Sequence, residues 1–591
     1  MIIPQPRVEM YHEGTYKMKK KVDTIELISL YNIYKNGNED VEIKIVKTLG
    51  VDDYGIDITE DGIKITASGD CGVFRAVSSL RQIMKYKGDN LPFCTIKDSP
   101  DFEKRSYLFD ISCGRMPTVD TFKRLIDMLA DLKYNEFQIY LEGRCFQYDE
   151  FAKYTEEFEC LNAKDMEELD EYCAQRFIDF IPNQNSFGHL GEWLSLDDFK
   201  HLRVGNDEVN TATINPLLDE SFDFIDKFCS SLLPHFRSEY MNIGFDEAVG
   251  LGKYQLEEIC KEKGADNVFM DWLNKLADHV REKYGKKVQF WADMVYDSPD
   301  AYKRVPEGAI ALNWGYDMIK SSMMERHCYD LWQHNIPFYV CPGNSNWLST
   351  TGRFDVMSFN LRTAGEMGVK YGAKGYMLTD WGCGEGHHHF PVWGFIPMAL
   401  ASIYSWHVGV KQHGGWLKNE NIRASWKYVD DFIFDGAQVS EWLYRLQMYY
   451  HLEPEKIHSA SFACHGLVRT LLDTNVAPFY DLKEVGDVFY FENVLQYMNR
   501  CIEGVSKVDF DEHYKRQVLI NANMVVLGTK LSIVKYNQTV TKEEAESLKK
   551  DIDDIIREYE ALWPLENYPE KRDWFPNYIL ERKKELDILA K

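Results

Sequence analysis

Hydrophobic and polar positions change period three times along this chain. Over the first hundred residues, short alternating runs at 24–30, 41–46 and 62–67 predict strands. A helical run follows over 73–85, with Val73, Ala76, Val77, Leu80, Ile83 and Met84 on one face. Asp98-Ser99-Pro100 then punctuates the chain. From Arg105 the pattern becomes strand, loop and helix, repeated. Strands are predicted at 107–111, 136–141, 177–182, 240–245, 288–292, 309–313, 336–341 and 375–379, and helices between them at 118–133, 217–236, 268–284 and 355–371. Such alternation predicts an α/β fold, a (β/α)8 TIM barrel. No Gly-rich phosphate loop follows the first of these strands, which removes the main reason to prefer a doubly wound open sheet. Beyond about Trp406 the pattern is mainly helical, with a charged amphipathic helix at Lys542–Leu562. The expected organisation is a small N-terminal α/β domain (1–100), the barrel (101–408) and a helical C-terminal region (409–591). The last could cap the barrel, shape the site or support a homodimer.

Charge narrows the partners. With 68 basic and 94 acidic residues the formal net charge is −26. Nucleic acid and anionic membranes reward clustered Lys and Arg, so neither is expected. No apolar run reads as a bilayer span, and Met1-Ile2-Ile3-Pro4-Gln5-Pro6-Arg7 lacks a secretory pattern. The 13 Cys are odd in number and scattered, as expected of buried thiols in a reducing, cytoplasmic setting.

Candidate chemistry collects at the predicted strand ends, where barrels of this type carry their sites. Tyr240-Met241-Asn242-Ile243-Gly244-Phe245 runs into Asp246 and Glu247. Adjacent side chains on a regular strand face opposite ways, so these acids share one pocket only if the backbone turns there. Two carboxylates so held suit acid/base work at a glycosidic carbon. The other ends offer Arg105, Asp110 and Arg115 (first), Glu142 (second), His189 (third), Trp291 and Asp293 (fifth), Trp314 (sixth), Asn344 and Trp347 (seventh), and Asp380, Trp381, Glu385 and His387 (eighth). Four Trp at one rim suit the C–H face of a sugar or a small methyl group, and acids, amides and an Arg suit its hydroxyls. His189 suits a role in holding a carboxylate. Consecutive residues such as His387-His388-His389 do not converge readily on one ion, so no metal is expected.

These motifs resemble glycoside hydrolase family 20, the β-N-acetylhexosaminidases. Asn242-x-Gly244-x-Asp246-Glu247 resembles its His/Asn-x-Gly-x-Asp-Glu signature, Arg105-Ser106-Tyr107-Leu108-Phe109-Asp110 its first barrel strand, and Gly188-His189 its Gly-His after strand three. Gly72-Val73-Phe74-Arg75-Ala76 with Leu80-Arg81-Gln82 resembles the helix of its small N-terminal domain. The resemblance spans about residues 20–400 and is closest to the soluble bacterial branch. Two features depart from it: the first strand is one residue longer before Arg115, and Trp381-Gly382-Cys383-Gly384-Glu385 stands where Trp-Gly-Glu is common. The resemblance implies an exo-acting, retaining, substrate-assisted hydrolase of terminal β-linked GlcNAc or GalNAc, working without cofactor or metal on an oligosaccharide or smaller substrate. Glu247 would be the acid/base and Asp246 the acetamide-orienting carboxylate. Arg105, His189, Trp291, Trp314, Trp347, Asp380, Trp381 and Glu385 would bind the sugar. The acetamide-oxygen ligand is left unassigned, Tyr339 being the candidate considered. A hydrolase using another acidic pair and a sugar-binding protein on the same scaffold are the alternatives.

Overall fold

The computed structural model describes residues 2–591 except 21, 23–24, 113, 157–158, 297, 318–320, 383–388, 410–419, 478–479 and 570–573. All eight predicted barrel strands form: Lys104–Asp110, Glu136–Tyr140, Asp179–Ile181, Tyr240–Asn242, Lys287–Trp291, Ile310–Trp314, Phe338–Cys341 and Gly375–Asp380. Every adjacent pair is parallel, and strand eight pairs with strand one. A bridge between Asn183 and Asn242 joins strands three and four and closes the ring.

The two-residue period of the strands sorts their side chains. Leu108, Tyr140, Trp291, Leu312, Tyr339, Cys341 and Met377 pack into one inner cluster. Beneath the strand-four end lies a buried amide layer, in which Gln138 donates to Gln289 (2.7 Å) and accepts from Asn183 (3.0 Å) and Asn242 (3.1 Å). The interior is thus filled, and a ligand can enter only at the rim.

The N-terminal unit is a five-stranded sheet of Val8–Lys17, Val41–Ile45, Tyr54–Thr59, Gly62–Ala67 and Asn90–Asp98, in spatial order first, fifth, third, fourth, second. Residues 27–30, expected in a strand, instead begin the helix Leu27–Lys35. Its buried Leu27, Leu30, Tyr31 and Tyr34 stand at i, i+3, i+4 and i+7, a helical stripe that outweighs the local β-propensity. The helix Asp70–Lys87 ties this unit to the barrel: Arg75 bonds Asp52 (2.9 Å) and the Phe177 carbonyl (3.1 Å), and Arg81 pairs with Asp131 (2.7 Å).

The C-terminal region is mainly helical. Glu512–Asn537 is long and apolar enough to cross a membrane, which corrects the expectation that no run is. Most of its apolar window is buried, as in a core helix, with Gly528 in backbone contact with Gly466 and Ala463 of Phe462–Val468.

Candidate active site

Strand four ends at Asn242, three residues before its predicted end. Gly244, Phe245 and Glu247 then take φ of 73°, 85° and 46°, the left-handed region that non-glycine residues rarely enter. Three features hold this turn. Phe245 is buried between Phe187 and Phe269. Asn185 lies so close to Gly244 that a Cβ there would come within 2.2 Å of its Oδ1. Gly188 lies against the next residue, its Cβ position only 2.5 Å from the Asp246 carbonyl oxygen. The turn gives the neighbouring carboxylates different settings: Asp246 is buried, whereas the Glu247 side chain is 55% exposed.

His189, itself at φ 56°, joins three acids. Its Nε2 lies 3.3 Å from Asp246 and 3.6 Å from Glu247, and its Nδ1 lies 3.5 Å from Glu142. Burial alone would lower its pKa, but the Asp246 and Glu142 carboxylates reverse this and hold it well above the ordinary histidine value. His189 is thus placed to offset the negative charge crowded at the strand ends. One oxygen of Asp246, Oδ1, is buried with no hydrogen-bond partner among the described residues.

Asp293 backs the pair. It accepts from the Glu247 backbone N–H (3.1 Å) and from the Trp314 indole N–H (3.2 Å). Burial, followed by the Asp246 charge, pushes its pKa up to about 7.

Above these acids lies a cavity of about 400 Å3 walled by Trp291, Trp314, Tyr316, Trp347, Trp381 and Tyr140. Tyr316 stacks on Trp314 (5.3 Å between centroids), meets Trp347 edge-on (5.0 Å) and accepts the Trp381 indole N–H (2.8 Å). The Trp291 indole N–H is buried and has no partner among the described residues. Asp110 and Glu142 add carboxylates to the lining. Burial pushes Asp110 up to about 6 even though Arg115 pulls it down.

Seven of the ten residues assigned a catalytic or sugar-binding role thus line one cavity: Asp246, Glu247, His189, Trp291, Trp314, Trp347 and Trp381. Two do not. Arg105 is five residues upstream of Asp110, about 17 Å along an extended strand, at the far end of the barrel. It is buried there, paired with Asp52 (2.9 Å) and bonded to the carbonyls of Lys133, Phe102 and Glu103. Asp380 points away from the cavity because strand alternation turns Trp381 inward. It accepts from Tyr107 (2.6 Å) and pairs with Arg115 (3.0 Å) and His389 (3.1 Å), which hold it well below the usual carboxylate range despite its burial. Glu385, with His387 and His388, falls outside the described residues. Tyr339 bonds Glu136 (3.1 Å), the first residue of strand two, inside the barrel and away from the rim.

Sequence reasoning missed Tyr140 and Tyr316, and it named Asp110, Glu142 and Asp293 at strand ends without giving them a role in the site. Asp110, Glu142 and Asp293 stood at strand ends and were within reach of the end-of-strand rule. Asp317, His458 and Ser459 also line the cavity, the last two from the C-terminal region, and no local pattern marks them.

Comparison with known proteins agrees with this arrangement. Residues 102–351 match the catalytic domain of glycosyl hydrolase family 20, and residues 24–99 match domain 2 of the same family. A beta-hexosaminidase of Vibrio furnissii is 26% identical over 347 residues, which cover 50% of this chain and 56% of that protein. The chain thus spans about half the length of the curated relatives it matches. The beta-N-acetylhexosaminidase of Bacteroides fragilis superposes with a TM-score of 0.57 at 19% identity, covering 71% of this chain and 93% of that one. The Flavobacterium johnsoniae chitobiase reaches 0.59 at 15% identity, covering 94% and 95%. At such identities these two show the shared fold. With both family domains matched in order and the Asp246–Glu247 pair at the end of barrel strand four, the chain belongs to glycosyl hydrolase family 20.

Proposed function

We propose that this chain is an exo-acting, retaining β-N-acetylhexosaminidase that removes terminal β-linked GlcNAc or GalNAc with help from the substrate's own acetamide. The observation that carries this reading is the buried, unpartnered Oδ1 of Asp246 inside a cavity walled by Trp and Tyr. A buried acceptor is costly to leave unpaired, and an acetamide N–H entering the cavity satisfies it. The aromatic walls suit the acetamide methyl and the sugar face.

The chemistry divides between the two acids. The acetamide oxygen attacks the anomeric carbon, the glycosidic C–O bond breaks, and Glu247 gives its proton to the leaving oxygen. Asp246 accepts the acetamide N–H and balances the positive charge that spreads onto the resulting oxazolinium ring. Water then attacks the same carbon, Glu247 takes its proton, and the acetamide is regenerated. Two inversions give net retention. No protein nucleophile is needed, so holding the acetamide in line supplies much of the rate. His189 sits within ion-pair distance of both carboxylates, and Tyr316 supplies a phenol among the acetamide walls. The 55% exposure of Glu247 suits a proton donor that must meet a leaving group and then a water.

Hydrolysis of 4-nitrophenyl β-N-acetylglucosaminide, β-N-acetylgalactosaminide and β-glucoside by the purified protein tests this reading. Turnover of at least one acetamido sugar, with the glucoside lower by orders of magnitude, is expected. Comparable turnover of the glucoside would refute it.

A further inference from the structure

The cavity has a polar corner that the hydrolysis above does not use. Asp317, in the loop after strand six, is buried and meets His458 and Ser459 of the C-terminal region. His458 Nε2 lies 2.8 Å from its Oδ2, and the backbone N–H and hydroxyl of Ser459 each donate to it at 3.1 Å. Behind it, Arg353 approaches the other oxygen at 3.7 Å. Ser459 sits at φ 59°, and the Ser461 N–H bonds the Leu348 carbonyl (3.0 Å), so this segment is pinned against the strand-seven loop. The residues matched to the family's catalytic domain end at 351. His458 and Ser459 therefore come from outside it.

Depth tells which part of a glycoside this corner meets. Trp291, Tyr140, Asp110 and Asp246 are buried and form the floor. Glu247 and His458 are the open members of the lining, with side chains 55% and 49% exposed. Resting on the proposed activity, the group that protonates the glycosidic oxygen marks the boundary between the departing sugar and the leaving group. A residue as open as Glu247 faces the leaving-group side. With Nε2 against Asp317, the His458 imidazole presents Nδ1 to a ligand.

We propose that the Asp317–His458–Ser459 corner is a leaving-group subsite that hydrogen-bonds hydroxyls of a saccharide leaving group. The C-terminal region thereby makes the enzyme prefer glycosides of sugars over glycosides of simple aryl alcohols. His458 acts by binding and takes no part in bond cleavage.

The test compares kcat/KM for a β-linked N-acetylhexosaminyl disaccharide with that for the 4-nitrophenyl glycoside, in wild type, His458→Ala and His458→Gln. The aryl group carries no hydroxyl for His458 to bond. In His458→Ala the disaccharide-to-aryl ratio should fall about five- to tenfold, the scale of one lost hydrogen bond. His458→Gln, which keeps a donor and an acceptor at a similar reach, should recover part of the ratio. An unchanged ratio, whether both rates fall together or neither falls, would overturn the subsite. A rise in the ratio would also overturn it. If wild type cleaves neither substrate, the hydrolase reading itself falls and the subsite with it. Wild-type turnover of the aryl glycoside separates that outcome from failure of the subsite alone.

Discussion

Arg105→Ala separates a structural role from a binding role. The guanidinium is 1% exposed: Nε donates to the Lys133 carbonyl (2.9 Å), Nη1 to the carbonyls of Phe102 (2.9 Å) and Glu103 (3.1 Å), and Nη2 lies at ion-pair distance from Asp52 (2.9 Å). It also stacks on Trp406, 4.9 Å from the ring centroid. Breaking a buried ion pair from one side costs about 3–5 kcal/mol. Arg75 still neutralises Asp52 from 2.9 Å, which favours the lower end, about 3 kcal/mol. Urea unfolding followed by Trp fluorescence should show the loss. KM for an aryl N-acetylhexosaminide, measured on the folded enzyme, should stay within about twofold, because the change lies about 17 Å from the strand-one rim. Arg105→Lys should be intermediate, since Lys keeps the charge and loses the fork. A tenfold rise in KM at unchanged stability would refute this placement and restore Arg105 to the pocket.

Other perturbations probe the rim. Glu247→Gln should slow hydrolysis by about 10²–10⁴, with a smaller loss on good leaving groups; equal losses across leaving groups would remove Glu247 from the acid role. Gly188→Ala should lower kcat, because its Cβ would come 2.5 Å from the Asp246 backbone carbonyl and shift the segment carrying the Asp246 carboxylate; unchanged kcat would contradict the close approach. Asp293 has a folded pKa raised to about 7, against about 3.9 unfolded, so the folded protein holds its proton longer. Its contribution to stability is complete below about pH 3.9 and is lost as pH rises through about 7. Asp293→Asn should flatten that slope in urea unfolding between about pH 4 and 8, and an unchanged slope would show that Asp293 does not hold its proton in the folded protein.

Much of this was legible in the sequence, and what was missed has identifiable causes. The eight strands were readable because each is a short apolar run between turn signals, and their order fixed which ends share a rim. Asp246 and Glu247 were readable because two acids at a strand end next to Gly244 need an unusual backbone, and the left-handed φ values supply it. Arg105 was misplaced for a different reason. An arginine near a strand invites a ligand role, yet rise per residue decides which rim it serves, and Asp110 was the residue at the correct end. Asp380 failed on parity, one residue out of phase with Trp381. The helix at Leu27–Lys35 was read as a strand because its stripe is only nine residues long. His458 and Ser459 lie more than 200 residues from Asp246 in the chain. Only the packing of the C-terminal region against the strand-seven loop brings them to the cavity, and no local signal encodes that.

The central claim is that the substrate's acetamide does the work of a nucleophile while Asp246 holds it. Inhibition by a thiazoline analogue of the bicyclic intermediate tests this most directly, because it resembles the species nearest the transition state. Competitive inhibition is predicted, with a Ki at least about a hundredfold below the Kd of free N-acetylglucosamine, and a marked weakening in Asp246→Asn, where a neutral amide cannot balance the ring charge. A thiazoline that binds no better than the free sugar, or equally well to wild type and Asp246→Asn, would contradict the account.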